Sequence, residues 1–283
     1  MKFIAFLNFI RWKNLLMLFI VQWLTCTYLV HHPTDIGFIC LTLSTVFIAA
    51  SGNIINDIYD YEADIINKPN KTYLKTAIPL RLAKTCFIIL SLLGLGFGIY
   101  ISIVNGAPLK SLYFIIIWTL LILYSKKLKH YLLIGNLIIS SLIGFSIFLI
   151  ADFFPSLENQ PLINGYILFA FLLNLIREIV KDVEDINGDY KMNMSTFPIV
   201  FGINRTKPLL YTLITLTGIL LLIIAMNQVF SQMVSIYLLI LTVFPILSLN
   251  YFINKAKEKQ SYTKISNYLK IIMLLGIISI ILI

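Results

Sequence analysis

An all-α polytopic membrane bundle of nine transmembrane helices is the fold class predicted for this 283-residue chain, and three observations predict it. First, 59% of the residues are hydrophobic and 12% charged, with a mean hydropathy of +0.90, whereas a soluble domain carries about a quarter charged residues. Second, apolar stretches of roughly 20 residues recur from one end to the other, the length a helix needs to cross the hydrocarbon core. Third, Lys and Arg collect between alternate stretches. These features exclude disorder, a collagen-like or coiled-coil architecture and a disulfide-stapled secreted fold. They also exclude an outer-membrane barrel, which reads as short segments of alternating hydrophobicity.

Hydrophobic runs bounded by polar residues predict helices at about 13–30, 36–56, 82–104, 109–125, 131–150, 162–180, 207–226, 231–253 and 266–283. The first run, Leu15 to Val30, is followed by no small-residue cleavage pattern, so it is predicted to remain as a span and not to leave as a signal peptide. Short links at His31–Asp35, Asn105–Pro108, Asp152–Pro161 and Asn227–Ser231 alternate with four long or charged ones. With these spans, 21 of the 22 Lys and Arg residues, all but Lys110, fall on the side of the N-terminus. The positive-inside rule makes that side cytoplasmic, and a missed or invented span would erase the asymmetry. The net charge of +9 thus has a topological cause and predicts no nucleic-acid partner. Cys26, Cys40 and Cys86 lie in or beside apolar runs without metal-ligand spacing, which predicts neither a disulfide framework nor a zinc site.

The acids are distributed differently. Asp57, Asp60, Glu62 and Asp64 form one cluster where the second span ends, and Glu178, Asp182, Glu184, Asp185 and Asp189 another where the sixth ends. Together they hold nine of the 13 acids, and both lie on the predicted cytoplasmic side. Their positions, four spans apart, suggest a pseudo-repeat of spans 1–4 and 5–8 whose equivalent ends converge. Asn56, Asp60 and Asp64 are spaced by four, with Asn53 one turn above. Asp182, Asp185 and Asp189 fall at i, i+3 and i+7, so each set is expected to share one helix face.

Carboxylates stacked this way repel unless something neutralises them. A hard divalent cation does so, and Mg²⁺ holds one or two carboxylates and completes its shell with water and phosphate oxygens. Two such arrays at a membrane face predict a metal-bridged diphosphate site. Lys68, Lys71, Lys126, Arg177 and Lys181 beside them would clamp the remaining phosphate charge. Arg11 and Asn14, where the first helix starts, can also reach a phosphate, and Tyr124 and Ser125 can hydrogen-bond a phosphate or an acceptor.

At these residues the sequence resembles the UbiA-type superfamily of intramembrane prenyltransferases. The first cluster matches the family pattern N-D-x-x-D-x-x-x-D, and the second matches D-x-x-x-D at Asp185 and Asp189. Further matches are Arg11 and Asn14, Asn67-Lys68-Pro69-Asn70-Lys71, Tyr124-Ser125, Gly135-Asn136, Ser195-Thr196-Phe197-Pro198-Ile199 and Phe201-Gly202, so the likeness covers nearly the whole chain in order. The resemblance implies one transmembrane prenyltransferase domain over residues 1–283, a bundle around a central cavity with two cytoplasmic cap loops. By similarity, Asn56, Asp60, Asp64, Asp182, Asp185 and Asp189 would bind two Mg²⁺ ions and through them a polyprenyl diphosphate donor. Asp60, Asp64, Asp185, Asp189 and Tyr124 are the catalytic candidates. Arg11, Asn14, Asn53, Lys68, Lys71, Ser125, Lys126, Arg177 and Lys181 are those for substrate binding. Loss of diphosphate would leave an allylic cation for an acceptor to capture.

The second segment, from Arg177 to Asp189, is most similar to the branch that prenylates geranylgeranylglyceryl phosphate, the ether-lipid type. It departs from that branch at Lys191-Met-Asn-Met-Ser-Thr-Phe, which lacks a Gly and a second basic residue. Aromatic acceptors of quinone biosynthesis therefore stay open. A secondary transporter is the alternative of another class, although transporters place their carboxylates at mid-membrane and these acids gather at one face. The expected location is a bacterial or archaeal-type cell membrane, with the active site on the cytoplasmic side.

Overall fold

The computed structural model describes residues 2–69, 72–155, 159–226 and 231–283. In chain order its helices are α1 (Lys2–Phe9), α2 (Trp12–Leu24, carried on by a π-helical turn at Thr25–Leu29), α3 (Ile36–Tyr59), α4 (Tyr61–Asn67), α5 (Leu80–Val104), α6 (Ser111–Lys126), α7 (Ile134–Phe153), α8 (Gln160–Glu184), α9 (Ile186–Lys191), α10 (Phe197–Phe201), α11 (Ile203–Ala225), α12 (Gln232–Leu238), α13 (Phe244–Lys255) and α14 (Lys259–Ile278). Among the described residues eight helical stretches are long and apolar enough to cross a membrane singly, with α12 and α13 forming one. A ninth crossing is supplied by α1 and α2 together, which meet at 59°. That bend sits at Arg11, whose left-handed backbone (φ 58°, ψ 47°) interrupts the helix.

All nine expected spans are therefore present, and the departures lie at their polar ends. The last span starts at Lys259 instead of residue 266 and the sixth runs to Glu184 instead of 180. α1, α4, α9 and α10 were not expected, because helices of five to eight residues are too short to carry the long apolar run that announces a span. Local stops and starts follow ordinary chemistry. The Asp35 carboxylate caps α3 by accepting from Phe38 N at 2.9 Å. Pro161 and Pro198 stand in the first turns of α8 and α10, where a missing N–H costs nothing. The π-turn at Leu239–Val243 falls just before Pro245, which cannot donate to the preceding turn.

Small residues and buried polar groups join the helices. α3 and α5 touch where a Cβ on Gly94 would stand 2.7 Å from Ile48 Cγ1, and Ser44 donates to Gly94 O at 2.7 Å. Gln22 of α2 donates to Ser146 O of α7 at 3.1 Å and accepts from Thr45 of α3 at 2.8 Å. One apolar core gathers α2, α3, α5, α6 and α7, a second gathers α8, α11, α13 and α14, and α8 contributes to both. Exposed Ile88, Leu92, Ile99 and Ile103 on α5 form a face suited to lipid. The two helices that carry the acidic segments are among the most enclosed: in their most apolar 18-residue stretches 61% of the residues of α3 and 50% of those of α8 are buried, against 11% for the α6 span. At the end remote from the acids, Lys110 pairs with Asp152 at 2.9 Å, and His32 stacks on Phe154.

Candidate active site

Both acidic segments share one construction. α3 stops at Asp60 (φ −87°, ψ 1°) and α4 resumes at Tyr61, while α8 stops at Asp185 (φ −100°, ψ 7°) and α9 resumes at Ile186. These dihedrals lie in the sparsely allowed bridge region, where many active-site residues sit. Hydrogen bonding continues across the breaks, from Asp64 N to Asp60 O at 2.8 Å and from Asp189 N to Asp185 O at 3.2 Å. The single straight carboxylate face expected of each segment is thus bent at its central residue. A straight helix would hold the like charges stacked at their closest.

The two short helices then pack on each other and bring the segments together. Asn67, the last residue of α4, donates to Asp185 O at 2.8 Å and accepts from Gly188 N at 2.9 Å. Only glycine permits this approach, since a Cβ at Gly188 would stand 2.7 Å from Ala63 O and overlap the Asn67 amide. Next to Asn67, Lys68 reaches across to Asp185 Oδ2 at 2.5 Å, and Lys259 donates to Asn67 O at 2.6 Å. Asp185 Oδ1 is buried and has no partner among the described residues.

Lys129 does for Asp60 what Lys68 does for Asp185. Its side chain is 8% exposed, and its ammonium pairs with Asp60 Oδ1 and lies 3.4 Å from Asn56 Oδ1, while Asn56 donates to Asp60 Oδ2 at 2.7 Å. The turn that carries Lys129, Leu128–His130, lies against α7 at Gly135, where a Cβ would stand 2.8 Å from Lys129 Cα. Ser195 N donates to His130 O at 2.8 Å, tying the segment after α9 to the same turn. Arg11 pairs with Asp57 at 2.7 Å, and Asn53 secures the Arg11 bend by donating to Ile10 O at 2.9 Å.

The remaining expected residues divide. Asp182 accepts from Asn136 at 2.8 Å, and Tyr124 lies within electrostatic reach of Glu178, Asp60 and Asp182. Arg177 and Lys181 lie along α8 before its end and bond Glu178 at 2.8 and 3.1 Å, not the Asp60 or Asp185 carboxylates. Ser125 is buried and gives its hydrogen to Leu121 O at 2.8 Å, so the helix backbone takes the bond expected for a substrate. Lys126 and Asn14 are exposed and make no side-chain hydrogen bond among the described residues. Lys71 lies outside the described residues. Sequence reasoning passed over Lys129 as a topological charge and left Asn67 and Asn136 as mere matches. Their signal was position, directly after or opposite an acidic segment.

Charge inside this group is unbalanced. Burial, then Asp60 and Asp57, pushes the Asp64 carboxyl up to about 6. Burial, then Asp185 and Asp60, pushes Asp189 up to about 7. Lys68 is held above its ordinary value because Asp185, Asp64 and Glu184 outweigh its burial, and His130 is lowered by burial and by Lys129. Among the described residues no three Asp, Glu, His or Cys side chains converge on one point. The six expected ligands therefore form no ready cage. Lysines lie over the two central carboxylates and offset part of their charge.

Comparison with known proteins gives this group its context. Residues 13–274 match the model of the UbiA prenyltransferase family. The chain belongs to that family. A digeranylgeranylglyceryl phosphate synthase of Methanosphaera stadtmanae is 35% identical over 280 residues, 97% of each chain, and one of Methanobrevibacter smithii is 30% identical over 97% of this chain and 95% of its own. Among solved structures, a digeranylgeranylglyceryl phosphate synthase superposes with a TM-score of 0.70 at 29% identity, covering 99% of this chain and 97% of that one. A UbiA homologue of Archaeoglobus fulgidus bound to GPP and Mg²⁺ superposes with a TM-score of 0.68 over 98% of this chain and 99% of its own. At 17% identity it speaks for the fold alone. The protein is thus an integral membrane prenyltransferase, and the transporter alternative falls away.

Proposed function

We propose that this prenyltransferase is a digeranylgeranylglyceryl phosphate synthase. In this reading it carries a geranylgeranyl group from its diphosphate to the free hydroxyl of geranylgeranylglyceryl phosphate, on the cytoplasmic side of the membrane. The observation that carries the acceptor assignment is the 35% identity to a synthase of that name along 97% of both chains. The convergence of Asp60–Lys129 with Asp185–Lys68 supports the donor assignment, because it gathers carboxylates and cations suited to a metal-bridged diphosphate.

The carboxylate groups fit Mg²⁺ on two counts. Asp185 Oδ1 is a buried oxygen without a hydrogen-bond partner among the described residues, and the upward shifts of Asp64 and Asp189, to about 6 and about 7, mark a group crowded with negative charge. No cage is needed, since Mg²⁺ takes one or two carboxylates and fills its shell with water and phosphate. Asn56, Asp60 and Asp64 would hold one ion and Asp182, Asp185 and Asp189 a second. When bound, Mg²⁺ supplies charge neutralisation to the departing diphosphate. The chain's own residues do the rest. Lys68 and Lys129 swing from their carboxylates to the phosphate oxygens, Asn67 and Gly188 hold α4 against α9, and Arg11 offsets Asp57. The acceptor oxygen bonds to the prenyl C1 as the bond from C1 to diphosphate breaks, and the hydroxyl proton is released. Residues 1–283 act as one domain.

The test supplies purified protein with Mg²⁺ and labelled geranylgeranyl diphosphate, offering geranylgeranylglyceryl phosphate and a panel of aromatic acids in parallel. A doubly prenylated glycerophosphate is expected. Transfer to an aromatic ring alone would overturn the acceptor and keep the donor chemistry.

A further inference from the structure

A second set of charges sits deeper in the bundle, where ionisable groups are by default functional. Thr263 of α14 donates to Glu184 of α8 at 2.9 Å, which fixes the register of these antiparallel helices. Seven residues along each from that contact stand Lys270 and Arg177, on the same faces as Thr263 and Glu184 to within about 20°. The two cations therefore lie at one level, about 10 Å along the bundle from the Thr263–Glu184 contact. The charges acting on Lys270 are those of Arg177, Lys181, Arg11 and Glu178. Arg11 is already paired with Asp57. Glu178 accepts from both Arg177 and Lys181. Lys270 makes no hydrogen bond or ion pair among the described residues, and Arg177 Nε is buried without a partner.

Arg177, Lys181 and Lys270 thus face Glu178 at membrane depth, where uncompensated charge is costly, while the neighbouring Asp182 is turned to Asn136 and the candidate metal site. What balances them is an anion of about two charges, which is the charge of a phosphate monoester at neutral pH. Farther along the same two helices lies an apolar pocket lined by Tyr166, Phe169, Leu221, Leu238 and Gly276 among others. A phosphate head at Lys270 with a hydrocarbon chain above it describes an amphiphile, not a small aromatic acid.

We propose that Arg177, Lys181 and Lys270 form the subsite that binds the phosphate monoester of the acceptor, apart from the diphosphate held at Lys68 and Lys129. This deepens the acceptor assignment above and depends on it. Glu178 is then a positioning residue that orients Arg177 and Lys181. From that depth the glycerol hydroxyl extends toward Asp60 and Asp185, while the phosphate stays behind.

The experiment measures two things on wild type, Lys270→Gln and Lys270→Arg. The first is binding of geranylgeranylglyceryl phosphate, and of the same ether without its phosphate, with neither Mg²⁺ nor donor present. The second is the separate KM values for acceptor and donor. Lys270→Gln is expected to weaken the phosphate lipid about tenfold or more, the worth of one charge-assisted hydrogen bond. It is expected to narrow the preference for the phosphorylated ether, to raise acceptor KM in parallel and to leave donor KM unchanged, with Lys270→Arg restoring much of the loss. A merely structural lysine would shift both KM values or neither, and either result overturns the subsite. If wild type makes the doubly prenylated glycerophosphate and Lys270→Gln keeps its acceptor KM, the subsite falls while the function stands. If wild type prenylates aromatic acids alone, both fall together.

Discussion

Asp60 and Asp185 each have a lysine lying across them, and that arrangement decides what substitution does. Replacing either carboxylate with Asn keeps the shape but turns one accepting oxygen into an NH2 group, leaves Lys129 or Lys68 without its charge partner and removes a metal-ligating charge. Asp60→Asn and Asp185→Asn are expected to abolish transfer while membrane insertion is kept, with a lowered melting temperature from the unpaired lysine. Full turnover at saturating Mg²⁺ would remove these residues from the metal site. Lys129→Met is expected to raise donor KM by about 10- to 100-fold, the worth of one charge-assisted contact to phosphate. The acids were legible because paired carboxylate spacing is rare in so apolar a chain. Lys129 was not, because one lysine of the Lys126, Lys127 and Lys129 run looks like another until the turn against Gly135 aims it at Asp60. Protonation adds a pH test. Asp64, at about 6, and Asp189, at about 7, hold protons that a bound cation must displace. Apparent Mg²⁺ affinity, read from the Mg²⁺ dependence of turnover, should therefore weaken as pH falls through 7 and 6.

The elements that matter most are α4 and α9, the short helices that a reading of hydrophobic runs leaves as loops. Long spans announce themselves through run length, whereas seven residues of α4 and six of α9 bury too little apolar surface to show a period. What holds them is one glycine and one asparagine. Gly188→Ala would push its Cβ into Asn67 and Ala63 O, separating the two helices and with them the acidic segments. The expected cost is about 1–3 kcal/mol, typical of overpacking, together with a large fall in turnover. Gly96→Ala on the exposed face of α5 makes the control, since its Cβ would meet nothing within 4 Å. Equal losses in both variants would mean that helix backbone, and not the α4–α9 contact, is the sensitive feature.

Across the whole molecule, the two halves present the same unit of long helix, bridge-region aspartate and short helix, and the resulting site is held together by opposed charges. The topology follows from it: a reporter inserted at Asn187 should be cytoplasmic and one at Asn159 should face the other side, and the same side for both would break the span count. Stability carries the same signature. Asp64 and Asp189 have folded-state values above the unfolded carboxylate, so the folded protein binds more protons than the unfolded chain between those values. Their contribution to stability is full below an ordinary carboxylate pKa of about 4 and is lost as pH rises through about 6 to 7. Protein stripped of Mg²⁺ with chelator should accordingly melt at progressively lower temperature as pH is raised from about 4.5 to 7 and level off above, as these acids ionise beside Asp60 and Asp185. Restoring Mg²⁺ with a non-reactive diphosphate should lift the curve most at the alkaline end, because a cation that binds the folded state stabilises it by mass action where the carboxylates are free to bind. A Mg²⁺ effect equal at both ends would mean that the ion binds elsewhere. The fall should be lost in the double variant Asp64→Asn with Asp189→Asn, which leaves the opposite contribution of His130, whose lowered value makes stability rise with pH.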